Sequence, residues 1–283
     1  MNRLAWVTGA GGLIGSHVVG LAAKYAPEWR VRGLTRSIVD LTDGAAVSRL
    51  WEQDRPDLVI HCAALTRTGE CQQVPELARR INVEVTARLA DLAKDSAFIF
   101  LSTDLVFDGA KGRYTETDSP NPLSVYGETK LEAERGVLAN PKHTVARTSL
   151  NGGKSPSGDR SFTEEVRRAW AAGRTLRFYT DEFRCPIAAP ITARALWLLA
   201  AKGQPGLYHL AGSQRLSRWE IGQMLAACWL ELNPQLEPAT LREAAGPPRA
   251  PDTSLDCAKL EKLLGLRLPG FGEWLAGYAD EAF

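Results

Sequence analysis

Residues 8–15 read Thr-Gly-Ala-Gly-Gly-Leu-Ile-Gly and follow directly on the apolar run Leu4–Val7. Their Gly-x-x-Gly-x-x-Gly spacing stands where a first strand would pass into a helix. Glycines at such a turn let the backbone approach a pyrophosphate, which then lies against the amides and the positive end of the helix. A glycine-rich turn can also serve packing alone, but its place at the first strand-to-helix junction favours a dinucleotide cradle. The residues expected to line this cradle are Gly9, Gly11, Gly12, Leu13, Ile14 and Gly15.

The first 150 residues alternate short apolar runs with segments of helical periodicity. The runs are Leu4–Val7, Val31–Leu34, Leu58–Cys62, Phe98–Leu101 and Thr144–Ala146. Such alternation is typical of a parallel sheet that is covered by helices on both faces. The sequence therefore predicts an α/β protein built on a Rossmann-like, doubly wound parallel sheet.

A breaker-rich stretch at residues 151–158 interrupts this alternation. We place a dinucleotide-binding Rossmann domain at residues 1–150 and expect the chain to return to it around residues 186–215, where the α/β pattern resumes. Residues 151–185 and 216–283 are expected to form a smaller α/β substrate-binding subdomain.

Two local signals stand out within the predicted subdomain. Ser217, with an acidic residue three positions later at Glu220, predicts the capped start of a helix. The Pro-rich residues 231–253 predict a loop.

Composition excludes several classes of function. The formal net charge of the 283 residues is +1, without a block of like charges, which argues against a nucleic-acid partner and favours a small neutral or anionic substrate. No apolar run approaches the length of a membrane span and no leader pattern precedes the first strand, so we expect a cytoplasmic protein without membrane contact. Five scattered cysteines without a Cys-x-x-Cys pair, and no His, Asp or Glu cluster at ligand spacing, predict reduced thiols and no metal.

The end of the second predicted strand bears on the choice of dinucleotide. Residues 34–37 read Leu-Thr-Arg-Ser, so no acidic residue stands at the strand tip to accept a ribose 2′-hydroxyl. Arg36 could instead pair with a 2′-phosphate. We therefore favour NADP(H) and leave NAD(H) open. Asp40 and Leu41 are expected near the adenosine, although Asp40 could equally cap the next turn.

A second motif predicts the chemistry. Tyr126 and Lys130 are four residues apart, which places a phenol and an ammonium on one face of a helix. Because the ordinary pKa of Tyr is near 10, a phenol that exchanges protons near neutrality needs a nearby cation. The apolar strand Phe98–Leu101 runs into Ser102 and Thr103 at its carboxyl end, where open α/β sheets bind ligands.

Four stretches together carry a family resemblance: Thr8–Gly15, Asp57–Thr66, Ser102–Gly109 and Tyr126–Lys130. They resemble the extended short-chain dehydrogenase/reductase superfamily and, within it, the dTDP-4-dehydrorhamnose reductase family. The resemblance implies an NAD(P)H-dependent reductase that acts on a carbonyl compound, expected to be a nucleotide-linked 4-keto-deoxysugar.

The resemblance also implies residue roles. Tyr126 would protonate the substrate oxygen, Thr103 would orient that oxygen, and Lys130 would hold the ribose and lower the Tyr126 pKa. Further cofactor contacts are expected from Ala63, Ala64 and Ser102. The substrate side is expected to comprise Thr66, Thr103, Asp104, Leu105, Tyr126 and Leu150.

The substrate side departs from the family at two positions. The family usually has an aromatic residue where this chain has Leu105, and a Trp where it has Leu150. Loss of both aromatic contacts leaves the identity of the sugar open. Four loop residues could also reach the substrate: Asp181, Arg184, Arg249 and Asp252.

Two alternatives stay open. An NAD-dependent sugar-nucleotide epimerase or dehydratase would need further acid and base residues. A Glu directly after Asp104 would favour dehydration, and this chain has Leu105 at that position. The other alternative is a non-catalytic, cofactor-binding regulatory subunit, since the chain also resembles that of methionine adenosyltransferase. Retention of Tyr126 and Lys130 weighs against the second alternative. A homodimer is left open.

Overall fold

The computed structural model describes residues 3–277, which form the strands and helices given below. The strands are β1 (Arg3–Thr8), β2 (Trp29–Leu34), β3 (Leu58–His61), β4 (Ala97–Thr103), β5 (His143–Thr148), β6 (Asn151–Gly152), β7 (Thr175–Tyr179), β8 (Phe183–Arg184), β9 (Ile187–Ala188), β10 (Gly206–Leu210), β11 (Leu216–Ser217) and β12 (Gln235–Ala239). The helices are α1 (Leu13–Gly20), α2 (Ala22–Tyr25), α3 (Gly44–Asp54), α4 (Thr68–Gln73), α5 (Pro75–Arg79), α6 (Val85–Leu92), α7 (Val125–Leu138), α8 (Phe162–Ala171), α9 (Ala189–Lys202), α10 (Arg218–Cys228), α11 (Ala258–Leu264) and α12 (Phe271–Gly277). A π-helical turn at Arg80–Glu84 precedes α6.

Six parallel strands form the central sheet in the order β10-β5-β4-β3-β1-β2. The direction of travel across the sheet reverses at β1, which lies between β2 and β3. Ligands of such sheets bind beyond the carboxyl ends of the strands at this reversal. The predicted doubly wound fold is thus confirmed, and its ligand crevice lies at the end of β1.

Strand β1 shows how the sheet is covered. Ala5 and Val7 join the apolar cluster that includes α1 and α9, whereas Leu4 and Trp6 join the cluster on the other face, with α3, α6 and α7. Successive side chains of a strand point to opposite faces. A strand buried on both faces therefore reads as an uninterrupted apolar run.

The remaining strands form three small two-stranded sheets, β11 with β8, β12 with β7 and β6 with β9. A separate apolar cluster of α8, α10 and α12 packs around them, with Trp170, Phe178, Ile221 and Trp274 buried in it. The capping box at the start of α10 confirms the predicted helix start, because the Ser217 hydroxyl accepts from the Glu220 amide at 3.1 Å and the Glu220 carboxylate accepts from the Ser217 amide at 2.7 Å.

The prediction of a continuous loop at residues 231–253 is wrong for part of that segment. Residues 235–239 form β12, which pairs in parallel with β7. Pro238 fits this strand because Pro, which has no amide hydrogen, is found in sheets on strands that have a free edge. The pairing partner lies about 60 residues away in sequence. The pattern of residues 231–253 alone therefore does not predict this strand.

Candidate active site

The glycine turn is shaped by close backbone approaches. Gly9 adopts a positive φ of 66°, and a Cβ there would stand 2.8 Å from the Ala63 amide nitrogen. A Cβ on Gly15 would stand 2.3 Å from the Gly9 carbonyl oxygen. The Gly12 amide donates to that same oxygen at 2.8 Å. Only glycine at these positions lets α1 begin directly against the turn, with its first amides open toward the crevice.

Arg36 and Asp40 follow β2 and line an open cavity of about 340 Å³ together with Arg49 and Gln53 of α3. The Asp40 carboxylate accepts from the Thr42 amide at 2.9 Å and from the Thr42 hydroxyl at 2.8 Å. These hydrogen bonds, aided by the Arg36 charge, lower the Asp40 pKa. Asp40 therefore closes a local turn, and Arg36 is exposed shortly after the end of β2.

Beneath the glycine turn, a buried histidine joins two elements. The Thr86 hydroxyl donates its proton to the Asn82 carbonyl at 2.7 Å. It can therefore only accept in its 3.0 Å contact with His61, and Nε2 of His61 carries the hydrogen. Nδ1 of His61 then accepts from the Thr8 hydroxyl at 2.7 Å. Burial lowers the His61 pKa to about 3 and keeps the ring neutral. The Thr8 end of β1 is thereby fixed to the helical segment that contains Asn82.

Asn82 continues this connection to the helix that carries the phenol. Its side-chain oxygen accepts from the Leu65 amide at 2.8 Å, and its side-chain nitrogen donates to the Leu65 carbonyl and the Thr129 hydroxyl, each at 3.1 Å. Thr129 lies in α7. The loop after β3 and the first turns of α7 are thus held in one arrangement.

Tyr126 lies in the first turn of α7, whose start is capped by the Ser124 hydroxyl, an acceptor of the Gly127 amide at 3.3 Å. A Cβ on Gly127 would stand 2.2 Å from the Leu105 carbonyl oxygen, so the helix lies directly against the segment after β4. The Tyr126 phenol is buried, and the Thr103 hydroxyl lies close enough to lower its pKa. The two predicted partners of the substrate oxygen are therefore adjacent.

Burial raises the pKa of the Tyr126 phenol above its ordinary value, so the lowered pKa that the family resemblance implied is wrong for the protein without its cofactor. The hydrogen bond with Thr103 and the charge of Arg184 lower this pKa, whereas Asp104 and Cys71 raise it further. The phenol is therefore protonated near neutral pH and is placed as a proton donor.

Lys130 is 2% exposed and stands one turn after Tyr126 on α7. Its ammonium donates to the Leu101 carbonyl at 2.8 Å and lies 3.8 Å from the centre of the Phe100 ring. Burial lowers the Lys130 pKa from 10.5 to about 7, although the Glu134 charge raises it. Its charge also acts on Cys62 at the end of β3. The residue after Cys62, Ala63, lies against the Gly9 turn, so the Lys130 charge acts on the segment that joins β3 to this turn.

Asp104 is 2% exposed and accepts from several donors. Its Oδ2 accepts from Ser149 Oγ at 2.7 Å, from Arg184 Nη1 at 2.7 Å and from Thr253 Oγ1 at 3.1 Å. Its Oδ1 accepts from Thr103 Oγ1 at 3.2 Å. Asp104, which was predicted to contact the substrate, therefore has both carboxylate oxygens hydrogen-bonded to side chains of the protein, one of them to Thr103.

The four residues predicted to lie in loops separate into two groups, and the prediction is wrong for Arg184, which lies in the short strand β8. Arg184 reaches the site through Asp104, and its Nε also donates to the buried Glu182 at 3.4 Å. Arg249 donates to the same Glu182 at 2.8 Å. Asp181 instead accepts from the Leu241 amide at 2.9 Å, and Asp252 pairs with Arg215 at 2.7 Å. Sequence reasoning missed Glu182 and the Asp104–Arg184 pair, because nothing local joins residues 80 positions apart.

The other predicted residues differ in burial and in their contacts. Leu105 packs in the apolar cluster of Tyr126, and Leu150 packs beside the α8 cluster. Ala63 and Ala64 are half-buried, and Thr66 is exposed. The Ser102 hydroxyl is buried and has no hydrogen-bond partner within residues 3–277. Ser102 lies near the carboxyl end of β4, and an orphaned buried hydroxyl at that edge of the sheet fits a bound dinucleotide as its missing partner.

Two findings bear on other classes. Within the part of the chain that the structure describes, no group of three His, Cys, Asp or Glu side chains could hold a metal ion. None of the helices between residues 3 and 277 has the length and apolar character needed to cross a membrane. The site itself joins a dinucleotide-shaped turn to a buried phenol, hydroxyl and amine. This set defines a nicotinamide-dependent oxidoreductase, the class that the sequence predicted.

The family follows from comparison with known proteins. The RmlD substrate binding domain family matches residues 3–282, so the chain belongs to this family. The predicted resemblance to extended short-chain reductases is confirmed.

Relatives with different names share this family likeness. The chain is 32% identical over 286 residues to dTDP-4-dehydrorhamnose reductase of Sinorhizobium fredii, covering 96% of this chain and 94% of that one. It is also 32% identical over 285 residues to methionine adenosyltransferase 2 subunit beta of Xenopus laevis, covering 95% and 85%. The crystal structure of dTDP-4-dehydrorhamnose reductase from Bacillus anthracis in complex with NADP has a TM-score of 0.90 at 22% identity, covering 99% and 100%.

Proposed function

We propose that the protein is an NADPH-dependent reductase that converts the keto group of a nucleotide-linked 4-keto-deoxysugar to an alcohol. The observation that carries this proposal is the Tyr126 phenol, held protonated by burial and adjacent to the Thr103 hydroxyl. A regulatory cofactor-binding fold needs no buried proton donor of this kind. The reductase names among the relatives support the same reading.

The chain's own residues divide the work. The amides of the glycine turn would hold the pyrophosphate, Arg36 the 2′-phosphate and Lys130 the ribose hydroxyls. When bound, the nicotinamide supplies a hydride to the carbonyl carbon. Tyr126 donates its proton to the carbonyl oxygen, so that one hydride and one proton give the alcohol. Thr103 donates a hydrogen bond that orients this oxygen.

NADPH is proposed over NADH because of the charges at the tip of β2. Arg36 is exposed there. The carboxylate of Asp40, the acidic residue nearest to it in sequence, accepts hydrogen bonds from Thr42. A free carboxylate at this place would bind a ribose 2′-hydroxyl and repel a 2′-phosphate. NADH remains the second cofactor to test.

On the substrate side, Leu105 and Leu150 present aliphatic surface. Both are half-buried, and each packs against apolar neighbours. Aliphatic walls at these positions offer shape without ring stacking. We therefore propose a deoxysugar as the substrate and leave its base and stereochemistry to the assay.

The experiment follows the loss of NADPH and NADH absorbance in parallel, against a panel of nucleotide-linked 4-keto-deoxysugars. We expect turnover with NADPH that Tyr126→Phe lowers at least about 100-fold. Tyr25→Phe is the matched control, since Tyr25 packs against the α1 and α9 cluster and lies outside the crevice. Equal loss of activity in both variants would contradict the assignment of Tyr126.

The second candidate is a regulatory, cofactor-binding subunit, which relatives named methionine adenosyltransferase 2 subunit beta favour. It predicts tight dinucleotide binding without oxidation of either cofactor by any member of the panel. It also predicts that Tyr126→Phe leaves the dissociation constant for the dinucleotide unchanged. The same assay, with a fluorescence titration beside it, separates the two functions.

Location and assembly complete the proposal. We propose a cytoplasmic enzyme, since its five cysteines are free thiols, as befits a reducing compartment. We also propose a homodimer. Light scattering on the purified chain tests the assembly, with a mass of about twice 30.9 kDa expected and a mass near 30.9 kDa contradicting it.

A further inference from the structure

A chain of hydrogen bonds leads from Arg184 through Asp104 to Thr103, which lies near the phenol. Arg184 Nη1 donates to Asp104 Oδ2 at 2.7 Å, and Thr103 Oγ1 lies 3.2 Å from Asp104 Oδ1. The same Thr103 hydroxyl lowers the pKa of the neighbouring Tyr126 phenol. Asp104, Thr103 and Arg184 are each less than 10% exposed. The chain is therefore shielded from water, and its bonds compete only with one another.

Thr103 has a single proton for two acceptors. Its oxygen already accepts from the Leu105 amide at 3.2 Å. If the proton points to Asp104, Thr103 can only accept from Tyr126 and has nothing to donate to a substrate oxygen. If the proton points into the crevice, Thr103 donates to that oxygen beside Tyr126. Its orientation thus decides whether Thr103 can take part in the reaction.

The strength of Asp104 as an acceptor sets this orientation. Three donors converge on Oδ2, from Ser149, Arg184 and Thr253, and one of them carries a full positive charge. They draw the carboxylate charge toward Oδ2, and Oδ1 is left with a long bond of 3.2 Å to Thr103. Arg184 is fixed for this task, because Nη1 also donates to Thr253 Oγ1 at 2.8 Å and Nε lies 3.4 Å from Glu182.

We propose that Arg184 is a positioning residue that weakens the hydrogen bond from Thr103 to Asp104, so that the Thr103 proton can turn to the substrate oxygen. The proposal rests on the reductase function proposed above. Arg184 acts through Asp104 and Thr103 and touches no reacting atom. The groups that face the phenol agree with this role, since Arg184 lowers the Tyr126 pKa while Asp104 and Cys71 raise it.

The test is a double-mutant cycle of Arg184→Met and Thr103→Val, each made alone and together. We expect Arg184→Met to lower kcat about tenfold with the KM for NADPH nearly unchanged, a smaller loss than the roughly 100-fold expected for direct removal of the Thr103 hydroxyl. In the Thr103→Val background the same change should cost less than about threefold, since the proton it orients is gone. Arg184→Lys should recover part of kcat.

A second readout needs no turnover. The protein is labelled with carbon-13 at Cζ of its tyrosines. The resonance of Tyr126 is identified as the one that disappears in Tyr126→Phe. The chemical shift of this resonance reports hydrogen bonding of the phenol. Arg184→Met should move this resonance, and should no longer do so in the Thr103→Val background. The matched control is Arg215→Met, whose guanidinium pairs with Asp252 and stacks on Phe183. It should leave the resonance in place.

The outcomes separate this proposal from the reductase function. Equal losses from Arg184→Met in both backgrounds, or an unmoved resonance, would overturn the role of Arg184 even in an active reductase. A resonance that moves as expected in a protein without turnover would support the hydrogen-bond relation and refute the reductase. If Arg184→Met fails to fold, Ser149→Ala removes another Oδ2 donor and should act in the same direction, with about a threefold loss of kcat.

Discussion

The buried ammonium of Lys130 makes a quantitative prediction about stability. Its pKa falls from 10.5 to about 7 in the folded protein. At 1.36 kcal/mol per pKa unit, this shift of about 3.5 units is a folding cost of at most about 5 kcal/mol for the charged form. Removal of its hydrogen bond to the Leu101 carbonyl costs about 1.5 kcal/mol. Lys130→Met should therefore stabilise the cofactor-free protein by about 3 kcal/mol at pH 6.

The gain must depend on pH in a fixed direction. Below the folded pKa of Lys130, near 7, both the folded and the unfolded chain carry the charge, so the full cost is present. Between pH 7 and the unfolded pKa of 10.5 the folded chain is neutral, and the cost declines as the pH rises. At pH 9 about 2 kcal/mol of it remains, so Lys130→Met should gain less than about 1 kcal/mol there.

Urea denaturation at pH 6 and pH 9, without cofactor, measures both values. Lys94→Met is the matched control, because Lys94 is an exposed lysine in a turn and should change stability by less than about 0.5 kcal/mol at either pH. A Lys130→Met variant that is less stable than the parent at both pH values, or whose gain is the same at both, would refute the reasoning.

Three other substitutions test the cradle, the cofactor choice and the core. Gly15→Ala would place a methyl 2.3 Å from the Gly9 carbonyl oxygen, and should cost about 1–3 kcal/mol of stability in urea and weaken NADPH binding in a fluorescence titration. Arg36→Ala should raise the dissociation constant for NADPH about tenfold or more and leave that for NADH within about twofold, by the same titration. Arg147→Met should cost about 3–5 kcal/mol in urea, because it strands the buried Glu134 carboxylate.

Each of these predictions has a contrary result. Unchanged NADPH binding in Gly15→Ala would remove the turn from the cofactor site. Equal weakening of NADPH and NADH in Arg36→Ala would remove the 2′-phosphate from its role. An Arg147→Met variant as stable as the parent would mean that Glu134 takes up a proton or finds another partner.

The parts of the site that sequence could predict are those encoded locally. The glycine spacing at residues 8–15 and the pair of Tyr126 and Lys130 each lie within a few residues of one strand end or helix start. Backbone sterics and helical periodicity act over the same distance. The doubly wound sheet followed from apolar runs for the same reason.

What sequence could not give depends on pairing across the chain. β12 exists because residues 235–239 meet β7, and Asp104 meets Arg184 only after the chain has crossed between the two parts of the fold. Environment is equally invisible in the sequence. The spacing of Lys130 predicted a cation near the phenol, but the fall of its pKa to about 7 follows from complete burial against Leu101 and Phe100.

The reduction itself is tested most directly by following the transferred hydrogen. The protein is supplied with NADPH that carries deuterium at the reactive position of the nicotinamide, together with a nucleotide-linked 4-keto-deoxysugar, and the product is examined by proton NMR. Deuterium should appear on the former carbonyl carbon, with Tyr126→Phe forming almost no product. Product without deuterium at that carbon, or a protein that binds both ligands and forms no alcohol, would contradict hydride transfer at this site.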